Sequence, residues 1–352
     1  MKKTIALIEI KQPIGSFYLG KMLADDLIQI KTVKRVHEGA GVQRLLKPDR
    51  VKAVSLFCED PDATFPTPII LSIKSEDMHL IDNSGYVCLF AYDDTTPIAE
   101  ILDGQHRVEG IEHSTLKDVE LPIVVMFDLT EEQKAYIFST INGTQERVNP
   151  SVIYELFKLS TGRSPQKTCH EIARALNGDP KSPCFRRLKM LEKREFETET
   201  ISQNTFVKCL CKLITSTPQK DAIEIKKGND FCANDNLAFS LYFKEKQDSV
   251  ILKIILNYFN AVNTVFNEEW NDPKKYILSK TVGFSALMEA LNKLVPLGES
   301  QGTLNYFFFE SILIKFRELL EERHLELTSE HFSSSGADRS KLSNLIIEAA
   351  GI

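Results

Sequence analysis

A five-residue run, Asp103-Gly104-Gln105-His106-Arg107, has residue types that suit the binding of an anion. It follows Ile101-Leu102 and leads into Val108-Glu109-Gly110-Ile111, a pattern that predicts a strand, a sharp turn and a helix. Glycine lets the backbone turn tightly, and the first amides of a helix carry partial positive charge. Arginine can donate two parallel hydrogen bonds to one phosphate. The run therefore predicts a phosphate-binding turn.

The same residues allow two further interpretations. Asp103 could hold a metal ion or polarise a water molecule, and His106 beside it could act as an acid or base. A purely structural alternative is a type I turn with an aspartate N-cap and a solvated arginine. Short motifs have many chance matches, so the spacing alone leaves these alternatives open.

Two other segments could contribute to such a pocket. The glycines of Gly39-Ala40-Gly41-Val42 precede Gln43 and Arg44, which could clamp a phosphate from a flexible loop or simply lie at the surface. In Ile141-Asn142-Gly143-Thr144-Gln145, the Asn-Gly pair predicts a left-handed helix end. The side chains of Asn142 and Gln145 could also contact a ligand there.

A basic run, Phe185-Arg186-Arg187-Leu188-Lys189, is the candidate nucleic-acid contact. Cations next to an aromatic ring suit a nucleic-acid backbone, which makes Arg186, Arg187 and Lys189 candidate DNA-binding residues. The alternative is the solvated face of a helix. A formal net charge of −6 gives no overall basic character, so any DNA binding must come from such a local patch.

Composition bounds the remaining possibilities. The 352 residues are 43% hydrophobic and 26% charged, as in ordinary globular proteins, and the length predicts two domains. The seven cysteines lack the paired spacing of a zinc site and are expected to be reduced and buried. No apolar stretch approaches the roughly 18 residues of a membrane span, and the N-terminus is typical of a strand. We therefore expect a cytoplasmic protein without a membrane partner.

The elements that must position these residues differ between the two parts of the chain. Strands are predicted at 3–10, 69–73, 86–90, 98–102 and 121–129, with helices at 48–57 and 131–141. After Pro150 the apolar residues recur with helical periodicity, at 152–157, 167–177, 202–215, 249–268, 281–295 and 304–325. Loops are predicted at 216–230 and 328–339. The fold class is α+β, with a mixed-sheet domain over 1–150 and a mainly α-helical domain over 151–352.

At this point the sequence resembles a known family. The run Leu102-Asp103-Gly104-Gln105-His106-Arg107-Val108-Glu109-Gly110-Ile111 is similar to the signature of the DGQHR-domain family, which includes the DndB proteins associated with DNA phosphorothioation. The segment 41–44, the segment 138–148 and the run 280–287 are also similar to that family. The resemblance implies a ParB/sulfiredoxin-like fold for the N-terminal domain.

The resemblance also implies a pocket for a nucleoside triphosphate with Mg²⁺. Gly104, Gln105, His106 and Arg107 would line the phosphates, and Asp103 would be the metal-linked or water-activating acid. Gln43 and Arg44 would face the same pocket, and Asn142 and Gln145 would close it. No cysteine lies in the turn, where the sulfur chemistry of sulfiredoxin needs one, so a sulfinic-acid reductase is not expected.

The resulting hypothesis is a nucleotide-binding, NTP-hydrolysing component of a DNA-modification or phage-defence system, in which Asp103 and His106 are the catalytic residues. Its expected partners are DNA, other DNA-modification proteins and further copies of the chain. One alternative is a DNA-binding transcriptional regulator of the DndB type without catalysis. A second is a ParB-like nuclease, although the motif lacks a clear carboxylate cluster. No phosphate loop, GxGxxG, GxSxG or HExxH motif offers another chemistry.

Overall fold

The computed structural model describes residues 2–32, 46–83, 86–143, 162–190 and 194–352. The chain forms two compact units, Met1–Arg147 and Val148–Ile352. Gln43, Arg44 and Gln145, together with the helix predicted at 152–157, lie outside the described residues. The predicted α+β class is confirmed, since the strands of the large sheet lie in unit 1 and the described part of unit 2 is mainly helical.

Unit 1 is built on a seven-stranded mixed sheet in the order β4-β5-β1-β2-β7-β3-β6. Within the described part of this sheet, β3 pairs with β7 in parallel and the other pairs are antiparallel. The strands are β1 (Lys2–Gln12), β2 (Gly15–Leu23), β3 (Ile69–Ile73), β4 (Met78–Asp82), β5 (Cys88–Asp93), β6 (Glu100–Asp103) and β7 (Glu120–Phe127).

One face of this sheet forms the core of unit 1. Alternate residues of β7, Leu121, Ile123 and Val125, are buried, as period-two patterning requires. Helices of the unit contribute Leu27 and Ile111 to the same apolar cluster. The helices are α1 (Ala24–Ile30), α2 (Pro48–Phe57), α3 (Gln105–Glu112) and α4 (Glu131–Gly143).

Helices α2 and α3 pack so closely that a glycine is needed between them. A Cβ atom at Gly110 would lie 2.5 Å from Cβ of Val54 on α2. Helix α3 directly follows β6, so this contact fixes α2 next to the turn that connects β6 to α3. Helix α3, which begins within the sequence motif, and helix α2 beside it are therefore held together by close packing.

Unit 2 has a larger apolar core, surrounded by helices. Phe284 stacks on Phe206 and on Phe259, with ring centroids 5.6 and 5.4 Å away, and Phe259 also contacts Trp270. The described elements are α5 (Pro165–Gly178), β8 (Leu188–Lys189), β9 (Ile201–Ser202), α6 (Gln203–Ile214), α7 (Pro218–Lys226), α8 (Ser240–Lys244), α9 (Asp248–Val265), α10 (Asn267–Asn271), α11 (Thr281–Ser300), α12 (Tyr306–Glu322) and α13 (Gly336–Ala349).

Two sequence-based expectations for unit 2 differ from the structure. The predicted loop at 216–230 contains helix α7, which starts with Pro218 at its first turn and buries Ile223. The basic run at 185–189 is neither a helix nor its solvated face, since it forms a turn that leads into β8. Across the described ranges, no helix is both long enough and apolar enough to span a lipid bilayer.

Candidate anion-binding site

Gly104 forms the sharp turn between β6 and α3. Its φ of +97° lies in the left-handed region, and an added Cβ would be 2.5 Å from Cδ1 of Ile69. Both constraints require glycine. The predicted strand, turn and helix are confirmed, whereas the aspartate N-cap alternative is wrong because Gly104 itself is the N-cap residue.

The N-terminus of α3 carries no side-chain cap. The amides of Arg107 and Val108 donate to the carbonyl oxygen of Gly104, at 2.9 and 3.1 Å. The amides of Gln105 and His106 donate to no other residue in the described ranges. Such amides at a helix start are ready donors to an anion.

Arg107 is bonded to its own unit. Nη1 donates to the carbonyl oxygen of Thr67 and, at 2.7 Å, to its Oγ1; Nη2 donates to the carbonyl oxygen of Pro68 at 3.1 Å and to Oδ2 of Asp103 at 3.0 Å. Burial lowers the pKa of this guanidinium, while Asp103 opposes the shift. The predicted fork of Arg107 onto phosphate oxygens is therefore corrected, since both terminal nitrogens already hold the segment before β3.

His106 links the starts of two helices. Its Nε2 accepts a hydrogen bond of 3.1 Å from the backbone N–H of Lys47, the residue before α2. An imidazole that accepts at Nε2 carries its proton on Nδ1. Burial lowers the pKa of His106, and the charges of Arg50 and Lys47 add to this effect, whereas Asp103 opposes it. The predicted role of His106 as a catalytic base needs the lone pair on Nε2. In this neutral imidazole that lone pair already accepts from Lys47, so His106 acts as a positioning residue.

Lys47 and Arg50 are the cations that sequence reasoning missed. Both are exposed, and both act electrostatically on His106, which places their charges beside the start of α3. Neither side chain pairs with a carboxylate of the described residues. The sequence pattern that could have identified them is Lys47-Pro48, in which a cation directly precedes the proline that starts α2. Arg50 follows about one helical turn later.

Asp103 is the acid of the site and remains half-buried beside Arg107. Its Oδ2 accepts from Arg107, which leaves Oδ1 without a hydrogen-bond donor among the described side chains. Mg²⁺ in nucleotide sites commonly takes one or two carboxylates together with phosphate oxygens and water, so Asp103 fits that role.

The described ranges bring together one other group of potential metal ligands, Glu109, Glu112 and His113. Lys31 already fills this group with a cation: its ammonium donates to Glu112 and, at 3.1 Å, to Glu109. This cluster on α3 is therefore a salt-bridge network rather than a metal site.

The three basic residues of the DNA-binding hypothesis lie in different environments. Arg187 is buried, and its guanidinium donates to the carbonyl oxygens of Pro183 and Trp270 at 3.0 and 3.1 Å and to Oδ1 of Asn271. The DNA-binding assignment of Arg187 is corrected, since it holds these segments together. Arg186 is exposed, and Lys189 is half-buried.

Arg186 is held by aromatic rings. Its guanidinium lies 4.9 Å from the ring centroid of Phe185 and 4.3 Å from that of Phe196. Its φ of +52° is left-handed, which is unusual for a residue with a side chain. The arrangement presents a fixed cation to solvent.

Of the remaining predicted residues, Asn142 lies within α4, which ends at Gly143, and its side chain is outside the described part of the structure. Gln43, Arg44 and Gln145 are also outside it. The structure thus brings together Asp103, Gly104, Gln105, His106 and Arg107, with Lys47 and Arg50 added.

Comparison with known proteins places the chain in a family. Residues 6–300 match the sequence model of the DndB family, described as DNA-sulfur modification-associated. The protein therefore belongs to the DndB family. Curated proteins give no match.

A search of solved structures finds a C-terminally truncated chromosome-partitioning protein ParB from Caulobacter crescentus, complexed with CTP-gamma-S. The similarity covers 66% of this chain and 98% of that one, with a TM-score of 0.30 and 13% sequence identity. The two proteins are thus only distantly similar.

Proposed function

We propose that unit 1 binds the phosphates of a nucleoside triphosphate, as one component of a DNA-modification system. The observation that carries this proposal is the uncapped start of α3, with Lys47 and Arg50 beside it. Open amides and two cations supply the donors and the positive charge that a triphosphate needs. His106 and Arg107 hold the two helix starts and the segment before β3 in place.

The other ligands of this pocket follow from the same geometry. Asp103 would hold Mg²⁺, which would neutralise charge on the phosphates. Gln43 and Arg44 remain proposed ligands, because Lys47, three residues after Arg44, contacts His106. Asn142 and Gln145 are proposed to close the pocket, as the family resemblance implies.

The binding experiment compares two substitutions on one helix. Calorimetry with CTP, ATP and GTP in the presence of Mg²⁺ should give saturable binding to the wild type for at least one of them. Arg50→Gln should weaken that binding about tenfold or more, because a charge-assisted hydrogen bond contributes about 1.5–3 kcal/mol. Lys52→Gln removes another exposed charge of α2 and serves as the control. Equal affinities of the two variants would refute the proposed site.

We further propose that unit 1 hydrolyses the nucleoside triphosphate that it binds. With Asp103 on the metal, phosphate release should be measurable and should disappear in Asp103→Asn, whereas nucleotide binding should be kept at higher Mg²⁺. Phosphate release that is unchanged in Asp103→Asn would remove this residue from the chemistry. Saturable binding without release in the wild type would leave a nucleotide sensor rather than an NTPase.

A second candidate function, DNA binding, is favoured by the exposed, ring-held Arg186. Arg186→Glu should weaken DNA binding and reduce its salt dependence, because one phosphate contact is lost. Lys253→Glu makes the same change of charge on the exposed side of α9 and is the control. If both substitutions weaken binding equally, the effect is one of net charge and the Arg186 turn is not the contact.

A further inference from the structure

A cavity in unit 2 has a composition that matches an anionic ligand. It has a volume of about 230 Å³ and opens between α6, α11 and α13. Charged and polar groups from all three helices line it, together with the apolar side chains of Leu213 and Met288. It lies entirely within unit 2 and shares no residue with the site of unit 1.

Three donors from three helices converge on this cavity. Lys212 comes from the last turn of α6, Ser285 from α11 and Arg339 from α13. Oγ of Ser285 accepts from Sγ of Cys209 at 3.5 Å, which leaves the serine O–H as a donor. Lys212 makes no ion pair with a carboxylate of the described chain, and the terminal nitrogens of Arg339 donate to none of the described residues.

Among the described residues, Glu289 is the one carboxylate that lines the cavity, and it lies against Arg339. Oε2 of Glu289 lies 2.9 Å from Nε of Arg339, on the inner edge of the guanidinium, so the terminal nitrogens stay free. Asn292 is engaged elsewhere, since its Oδ1 accepts from Ala238 and its Nδ2 donates to Asn236. The electrostatic effects of Lys212, Arg339 and Glu289 on Cys209 show that their charges face one region. The cavity therefore has an excess of one positive charge.

We infer that this cavity binds a small tetrahedral oxyanion of the phosphate class. Lys212, Arg339 and Ser285 would donate to its oxygens. The cavity is small enough to match a single phosphate-sized group. Cys209, Met288 and Leu213 give the remaining wall soft, apolar contacts, which would also accept a sulfur atom in place of one oxygen, as in thiophosphate.

The test uses Trp270, the single tryptophan of the chain, as the reporter for unfolding of unit 2. Thermal unfolding of the full chain is followed by fluorescence with inorganic phosphate, with thiophosphate and with sodium chloride at matched ionic strength. A ligand that binds only the folded state raises the melting temperature. We expect phosphate or thiophosphate to raise it above the chloride value, and the larger shift identifies the preferred anion.

Variants separate this cavity from other effects. Lys212→Gln and Arg339→Gln should each abolish the anion-dependent shift relative to their own chloride values. Lys208→Gln, on the exposed side of α6, should keep it, and so should Arg50→Gln in unit 1. The inference is overturned if neither anion exceeds chloride in the wild type, or if the shift survives in Lys212→Gln and Arg339→Gln.

Discussion

The side chains around the β6–α3 turn have two kinds of role. Arg107 and His106 contact their own unit, through the carbonyl oxygens before β3 and through the amide of Lys47. Asp103, the amides at the start of α3 and the two cations at the start of α2 are the groups that the proposed phosphate site would use. Within the motif, His106 and Arg107 therefore shape the proposed site, whereas Lys47 and Arg50, outside the motif, supply its positive charge.

The turn depends on glycine at position 104. In Gly104→Ala the left-handed backbone costs about 1–3 kcal/mol, and the added methyl also collides with Ile69. We expect unit 1 to lose more stability than that strain alone explains, as measured in urea by the part of the circular-dichroism transition that Trp270 fluorescence does not follow.

Gly228→Ala provides the matched control, in unit 2. Its φ of +88° is similar, but nothing lies within 4 Å of the added methyl. A loss of stability equal to that of Gly104→Ala would show that the contact with Ile69 is not restrictive.

The stability of unit 1 should depend on the protonation of His106. Burial and the charges of Arg50 and Lys47 lower its pKa from the ordinary 6.5. Below pH 6.5 the unfolded chain therefore binds more protons than the folded one. The free energy of unfolding consequently decreases as the pH is lowered. Urea unfolding between about pH 7 and about pH 5 should show this loss, and His106→Gln should remove it. A slope that is the same in His106→Gln would contradict this role of His106.

At this scale the sequence predicted residue types better than their roles. It identified Asp103–Arg107 as a turn, since only a few residue types suit such a backbone. It could not show that Arg107 is bonded within its unit, because its partners Thr67 and Pro68 lie about 40 positions earlier. Arg186 and Arg187 are neighbours of identical type, yet Arg186 is exposed on a left-handed backbone and Arg187 is buried.

At the scale of elements, a buried ion pair connects β6 to α4. Nζ of Lys134 donates to Oε2 of Glu100 at 2.7 Å and to Oε1 of Glu131 at 2.8 Å. Lys134 and Glu100 are both buried. Glu100 lies three residues before Asp103 in β6. The contact holds α4 against the strand that ends in the site.

Removal of one partner of this pair should be costly. Lys134→Met removes the buried cation beside Glu100, and loss of one partner of a buried ion pair typically costs about 3–5 kcal/mol. The double variant Lys134→Met, Glu100→Gln should recover most of this loss in urea unfolding of unit 1.

The exposed pair of Lys21 and Glu120 gives the comparison, with N and O atoms 2.6 Å apart. Lys21→Met should cost less than about 1 kcal/mol, because water screens this pair. If Lys134→Met costs no more than Lys21→Met, then Glu100 is not held by Lys134.

Elements were predictable where their pattern was strong. The apolar runs of β3 and β7 and the first-turn proline of α2 gave bounds close to those observed. Helix α7 was missed because only Ile223 among its residues is buried, which leaves little periodicity to detect. Strand β4 was missed for a similar reason, since Met78 is its one buried residue.

At the scale of the whole molecule, the chain has two separate apolar cores, one in each unit. Composition and length predicted two domains, and the change from strands to helices predicted their characters. Trp270 belongs to the core of unit 2, so tryptophan fluorescence reports unit 2, whereas circular dichroism reports the helices and strands of both units.

A cavity in the aromatic stack should affect the fluorescence signal directly. Phe284→Ala should destabilise unit 2 by about 3–5 kcal/mol, because it removes a ring that stacks on two others. Urea unfolding followed by Trp270 fluorescence measures this change. Phe307→Ala, at a ring that is 71% exposed, should shift the midpoint little. Similar shifts of both variants would show that the stack does not support the core.

The parallel pairing of β3 with β7 also has a consequence for the nascent chain. Strand β6 pairs with β3 in the described sheet, and β3 is joined to the other strands through β7, which begins only at Glu120. A ribbon of two strands is at best marginally stable in water. During synthesis, the Asp103–Arg107 segment therefore leaves the ribosome before the strand that fixes its support. We therefore expect the turn to acquire its final geometry only once β7, which ends at Phe127, is available to pair with β3.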